Sequence, residues 1–119
     1  MNLPEEVMRA ADELLSALKH TDAFIEYDQL RQAVMADEVN RRLLDRFSRA
    51  QAALQMAAIA GSEPREEDAS EFERLSALLY VSAEMTDYLL AQMKVQQLVA
   101  ATMEKLTREA GIRIDIPEA

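Results

Sequence analysis

The residues that could do chemistry are few. His20 is the only histidine, and the chain has no cysteine. A histidine can hold a metal or move a proton, but one without a second His or Cys is a poor anchor for a transition metal. No hydroxyl or thiol nucleophile can be paired with it on sequence grounds. It follows Lys19 at a helix end, where an imidazole also satisfies the last carbonyls. Two glycines cannot build a phosphate-cradling loop. No Glu-x-x-His pair is present, so the di-iron bundle pattern fails. The acids between Glu63 and Glu73 lack the ordering of a calcium loop. Acid–base work by two carboxylates needs a pocket and perturbed acidities, and no segment announces either. The expectation is therefore no catalytic residue, no metal ligand and no cofactor. A binding protein fits better than an enzyme.

One helix carries a different signal. In "ADEVNRRLLDRFSRAQAAL" (36–54), Val39, Leu43, Phe47, Ala50 and Leu54 form an apolar stripe at helical spacing. Arg41, Arg42, Arg46 and Arg49 lie on or near one adjoining face, in a chain of net charge −9. Three readings compete. The arginines pair loosely with the chain's own acids, among them Glu66, Glu67, Asp68, Glu71 and Glu73. Or they meet an acidic face of a partner, fixing register and on-rate. Or they touch RNA phosphates, which the net charge opposes and which no interleaved aromatics support.

The elements that position these residues read as helices. The first runs from about Pro4 to Lys19, with Leu3, Val7, Ala11, Leu14 and Leu18 as its stripe. Thr21 or Asp22 caps a second, from about Ala23 to Met35, with Phe24, Tyr27, Leu30 and Val34 on one side. Asp37 caps a third, reaching about Ala60 before Gly61 stops it. "GSEPREED" is the one convincing loop. A fourth begins near Glu66 or Glu67, with Phe72, Leu75, Leu78 and Leu79 apolar. It continues into the last helix or bends near Ser82, and that last helix runs to about Ala110. On that helix Met85, Leu89, Met93, Val99, Met103 and Leu106 form one side, and Tyr88, Val95, Leu98 and Thr102 another. A surface this broad exceeds what a helix packed on one side needs, and it motivates a homodimer. "TDAFIEY" and "SAEMTDY" look alike, as two capped amphipathic helix starts would. The tail from 111 to 119 alternates Ile112, Ile114 and Ile116 with Arg113 and Asp115, which is strand periodicity.

The expected architecture is all-α. It is an antiparallel helical hairpin or small bundle of about five helices, two of them long, in a single domain over 1–110 with a short extended tail. Half the residues are apolar but only 5% are aromatic, which suits close-packed helices with short connections. The acidic balance favours solubility or a basic partner over non-specific binding to nucleic acid or lipid. No apolar run reaches the roughly 18–20 residues of a membrane span. The start, "MNLPEEVMRAADELL", is acidic and amphipathic rather than basic and apolar. A cytoplasmic protein is expected.

The order of motifs also resembles a known family. The capped start "TDAFIEYDQLRQAVMAD", then "DEVNRRLLDRFSRAQAALQMA", an acidic loop and "EMTDYLLAQMKVQQLVAATMEKL" resemble the YlbF/YmcA family of small helical regulators. The resemblance covers roughly residues 4–108. It implies an all-helical, non-enzymatic, cytoplasmic protein that self-associates as a homodimer or pairs with a paralogue. It further implies a complex with a PSP1-domain partner that adjusts mRNA processing by ribonuclease Y, and so competence, sporulation and biofilm formation. Some complexes of this kind hold iron–sulfur clusters by cysteine, and this cysteine-free chain cannot supply those ligands. The alternative is an RNA-binding helical module that uses the Arg41–Arg49 face.

Overall fold

The computed structural model describes residues 1–112, and every regular element among them is helical. In order these are α1 (Glu5–Lys19), α2 (Asp22–Met35), α3 (Glu38–Ile59), α4 (Glu66–Val81) and α5 (Ala83–Ala110). The alternating tail, beyond Ile112, lies outside the described residues.

The helix ends follow from local chemistry. Pro4 precedes α1, where a missing N–H costs nothing, and Glu5 and Glu6 sit at the positive end of its dipole. Thr21 Oγ1 accepts from the backbone N–H of Phe24 (3.3 Å), and Ser82 Oγ accepts from that of Met85 (3.3 Å). The two similar heptapeptides thus share one capping device. The Asp37 carboxylate accepts from Val39 (2.8 Å) and Asn40 (3.4 Å), so only Ala36 and Asp37 separate α2 from α3. Gly61 and Gly111 take φ +69° and +71°. Next to each, a following amide reaches back into the last turn, Ser62 to Ala57 (3.0 Å) and Ile112 to Thr107 (2.9 Å). Such closures need a left-handed residue, which glycine adopts without strain. Ser82, at φ −88° and ψ 120°, is extended. It divides α4 from α5, so where a continuous or bent helix was expected the helix breaks.

The chain forms two compact units. Asp28–Leu89 holds α3 and α4, the pair of elements in closest contact. The short connection 60–65 returns α4 antiparallel to α3. Between them Phe47 and Phe72 stack with centroids 5.2 Å apart and planes 23° apart. The unit's buried residues are Val34 of α2, Leu44 and Ala50 of α3, Leu75 and Leu79 of α4, and Met85 and Tyr88 of α5. The apolar stripe expected on α3 needs correcting here. Leu44 is buried and Val39 is 72% exposed. Val39 sits in the first turn of α3, off the side that faces α4. Leu78 is likewise exposed, while Leu75 and Leu79 turn inward.

Met1–Tyr27 and Leu90–Ala119 make up the other unit. Phe24 and Tyr27 meet edge to face at 5.8 Å. Ala91 is buried, and Val95, Leu98 and Thr102 of α5 are half-buried. The apolar stripe of α1 is left largely uncovered. No residue of α1 is buried, and Leu3, Val7 and Leu14 are exposed.

Candidate functional site

The arginine face is built by α3. At helical spacing Arg42, Arg46 and Arg49 follow one another along a single line, with Arg41 beside it. Arg42 bonds Glu38 one turn back (2.7 Å), and Arg49 bonds Asp45 one turn back (3.0 Å). Both guanidinium groups stay open to solvent, with 76% and 79% of their side chains exposed. Arg41 has no hydrogen bond or ion pair among the described residues. Arg46 differs, because it crosses to α4 and bonds Glu71 (2.5 Å). Glu71 takes Arg74 on its other oxygen (2.8 Å). A shallow depression beside this cluster is lined by Arg46, Arg49, Ala50, Asp68 and Glu71. Its lining mixes both signs of charge, so it suits neither an anion nor a cation alone.

The cluster lowers the Glu71 pKa. The hydrogen bond from Arg74 stabilises the charged carboxylate, and Arg46 adds a second bond and its charge, against partial desolvation. A depressed folded value means the unfolded carboxyl binds protons more readily. The stabilisation is then complete above the unfolded value of about 4.3 and is lost as pH falls through the lower folded value. Glu71→Gln removes it. The melting temperatures of wild type and variant, followed by circular dichroism, should differ above about pH 5 and converge in more acidic buffer. The gap is small, because the pair is wet.

The apolar set on α5 splits. Met85 is fully buried inside the Asp28–Leu89 unit and offers no surface; Leu89 is half-buried. Met93, Val99, Met103 and Leu106 are exposed, as is Met56 on α3. His20 donates from Nδ1 to the Ser16 carbonyl (2.6 Å), closing the end of α1. Among the described residues no group of three or more His, Asp or Glu side chains is placed to hold a metal ion. No described helix is long and apolar enough to cross a membrane.

The sequence offers Glu71 as one of five acids within reach of the arginine face but does not single it out for Arg46, 25 residues away, and Arg74 lies outside that face. The stripe of α1 is plain in the sequence, and the spacing that marks a stripe does not say what covers it.

This arrangement presents exposed charge and exposed apolar stripes on the helices of a small all-helical protein. The chain is a member of the family described as control of competence regulator ComK, YlbF/YmcA, which it matches across residues 7–109. It is also similar to a UPF0342 protein of Halothermothrix orenii, 25% identical over 85 residues, which span 71% of this chain and 72% of that one.

Proposed function

We propose that the protein is a non-enzymatic adaptor that acts in the cytoplasm through protein–protein contacts. It self-associates through the apolar side of α5, at Met93, Val99, Met103 and Leu106, as a homodimer or with a paralogue. Its arginine face, Arg41, Arg42, Arg46 and Arg49, meets an acidic surface of a second protein. By resemblance to the YlbF/YmcA regulators, that protein is a PSP1-domain partner, and the complex adjusts ribonuclease Y-dependent mRNA processing upstream of competence, sporulation and biofilm formation. The observation that carries the reading is the state of Arg41, Arg42 and Arg49. All three are exposed, and they are held by nothing stronger than wet pairs within one helix. Such pairs are worth about 0–1 kcal/mol each, so a partner carboxylate displaces them at little cost.

Affinity purification of the tagged full chain from its host, with and without ribonuclease treatment, tests this. A PSP1-domain protein or ribonuclease Y is expected in both samples. Loss of every partner after treatment would make RNA the bridge and the arginine face an RNA contact. Recovery of the chain alone would remove the adaptor role and leave self-assembly.

A further inference from the structure

The open end of the α3–α4 hairpin, where α3 begins and α4 ends, carries apolar side chains that its core does not use. Val39 on α3 and Leu78 and Val81 on α4 are all exposed. Their place follows from the tie between Arg46 and Glu71. Val39 stands seven residues before Arg46, and Leu78 seven residues after Glu71. Seven residues return a helix to within about 20° of the same direction. The two helices run antiparallel, so both steps lead toward the open end. Val39 and Leu78 therefore come level with each other along the flank that the tie marks. Arg42 lies between Val39 and Arg46 on that flank, and Arg74 lies between Glu71 and Leu78. Each helix thus shows the same order, aliphatic at the open end and guanidinium toward the middle. Positive charge is left over there. Arg46 and Arg74 share one carboxylate, that of Glu71, and have no other ion pair among the described residues. Arg42 holds only its wet pair with Glu38.

Resting on the adaptor reading above, we infer that this flank of the hairpin is a docking groove for an acidic amphipathic helix of the partner protein. The helix covers Val39, Leu78 and Val81 with its own aliphatic residues. Its carboxylates, one or two turns further on, meet Arg42, Arg46 and Arg74. A helix in a groove offers such groups at three- and four-residue spacing, and the groove is itself built at that spacing. Glu71 holds Arg46 and Arg74 together from opposite helices, so an incoming carboxylate meets two guanidinium groups already in place. Burying the aliphatic residues beside them adds a hydrophobic gain that a purely acidic surface does not have. Other occupants match less well. An RNA strand contacts the arginines through its phosphates and leaves the valines and the leucine open. An anionic lipid surface is repelled by a chain of net charge −9. The inference extends the binding surface beyond the arginine face of α3, to Val39 and to Arg74, Leu78 and Val81 of α4.

Site-specific photo-crosslinking in the host tests this. A benzophenone side chain replaces Leu78 in the tagged full chain, or replaces the exposed Ser48 on the opposite side of α3 as a control. The probe at position 78 is expected to join another protein, at a segment where aliphatic and acidic residues recur at helical spacing. The probe at position 48 is expected to give far less of that adduct. Adducts only with a second copy of this chain, with lipid, or with a segment that carries no acids would overturn the inference. Leu78→Ser and Arg74→Gln provide the second arm. Leu78 is exposed and the Arg74 pair is wet, so both variants are expected to melt near the wild type. Each is expected to lower recovery of the partner in the affinity purification about fivefold or more. If both leave recovery unchanged while the reversal of Arg42 and Arg49 abolishes it, the groove is refuted and the arginine face stands. If the wild-type chain recovers no partner at all, the adaptor reading itself is refuted, and the groove with it.

Discussion

Leu75→Ala is expected to lower the unfolding free energy by about 2–5 kcal/mol, the largest effect of any single truncation here. Leu75 has no exposed surface and sits mid-helix on α4, opposite the α3 positions around Leu44 and Phe47. Removing its branched end loses the transfer free energy of three carbons and leaves a cavity, because the stacked Phe47 and Phe72 rings nearby hold their positions. The core it serves is small. Val34, Leu79 and Met85 are the other fully buried side chains, so no larger cluster absorbs the loss. Urea unfolding followed by helical ellipticity measures it. A midpoint shift corresponding to under about 1 kcal/mol would mean that the hairpin collapses around the gap, and that the α3–α4 interface is looser than its geometry. The exposed neighbour Leu78 is the control, and Leu78→Ala should change little.

The second large effect concerns function. The double reversal Arg42→Glu and Arg49→Glu should cut partner recovery about tenfold or more in the affinity purification, each factor of ten being about 1.4 kcal/mol. It should leave the fold nearly unchanged. Each arginine pairs only with an acid one turn back, so reversal places like charges there at a cost of about 0.2–0.5 kcal/mol per site. Arg46 is deliberately spared, because its bond to Glu71 ties α3 to α4 and its loss would confound binding with stability. Undiminished recovery of the same partner would remove the arginine face from the interface. Recovery that falls in low salt but not in high salt would identify steering rather than a buried contact.

Much of the fold was legible because helix ends are written locally. Asp37, Gly61, Ser82 and Gly111 each act within a few residues of where they stand, so boundaries followed from composition and spacing. The side of a helix that becomes core was less legible. Spacing alone puts Val39 and Leu43 on a stripe, but the placement of α4 decides that Leu44 is buried and Val39 is not. The same limit applies to the candidate site. The arginines are plain in "NRRLLDRFSR", yet the tie from Arg46 to Glu71 depends on how the hairpin closes, which no local pattern encodes. α1 is the strongest case. Its apolar stripe is as regular as any in the chain, yet no residue of α1 is buried, and spacing carries no record of what covers a stripe.

The placement of the two units along the chain has a consequence for synthesis. α3 and α4 are neighbours in sequence, joined by the connection 60–65, so their contacts close a short loop at low entropic cost. The hairpin can form while the ribosome is still translating. The other unit takes its two pieces, Met1–Tyr27 and Leu90–Ala119, from opposite ends. α1 leaves the ribosome before the other helices and must wait for the whole of Asp28–Leu89 before distal α5 emerges. During that interval its leucines are exposed to the cell with no cognate surface available. A nascent chain of this design therefore presents chaperones with an early amphipathic helix. Its second unit closes only after distal α5 has been made.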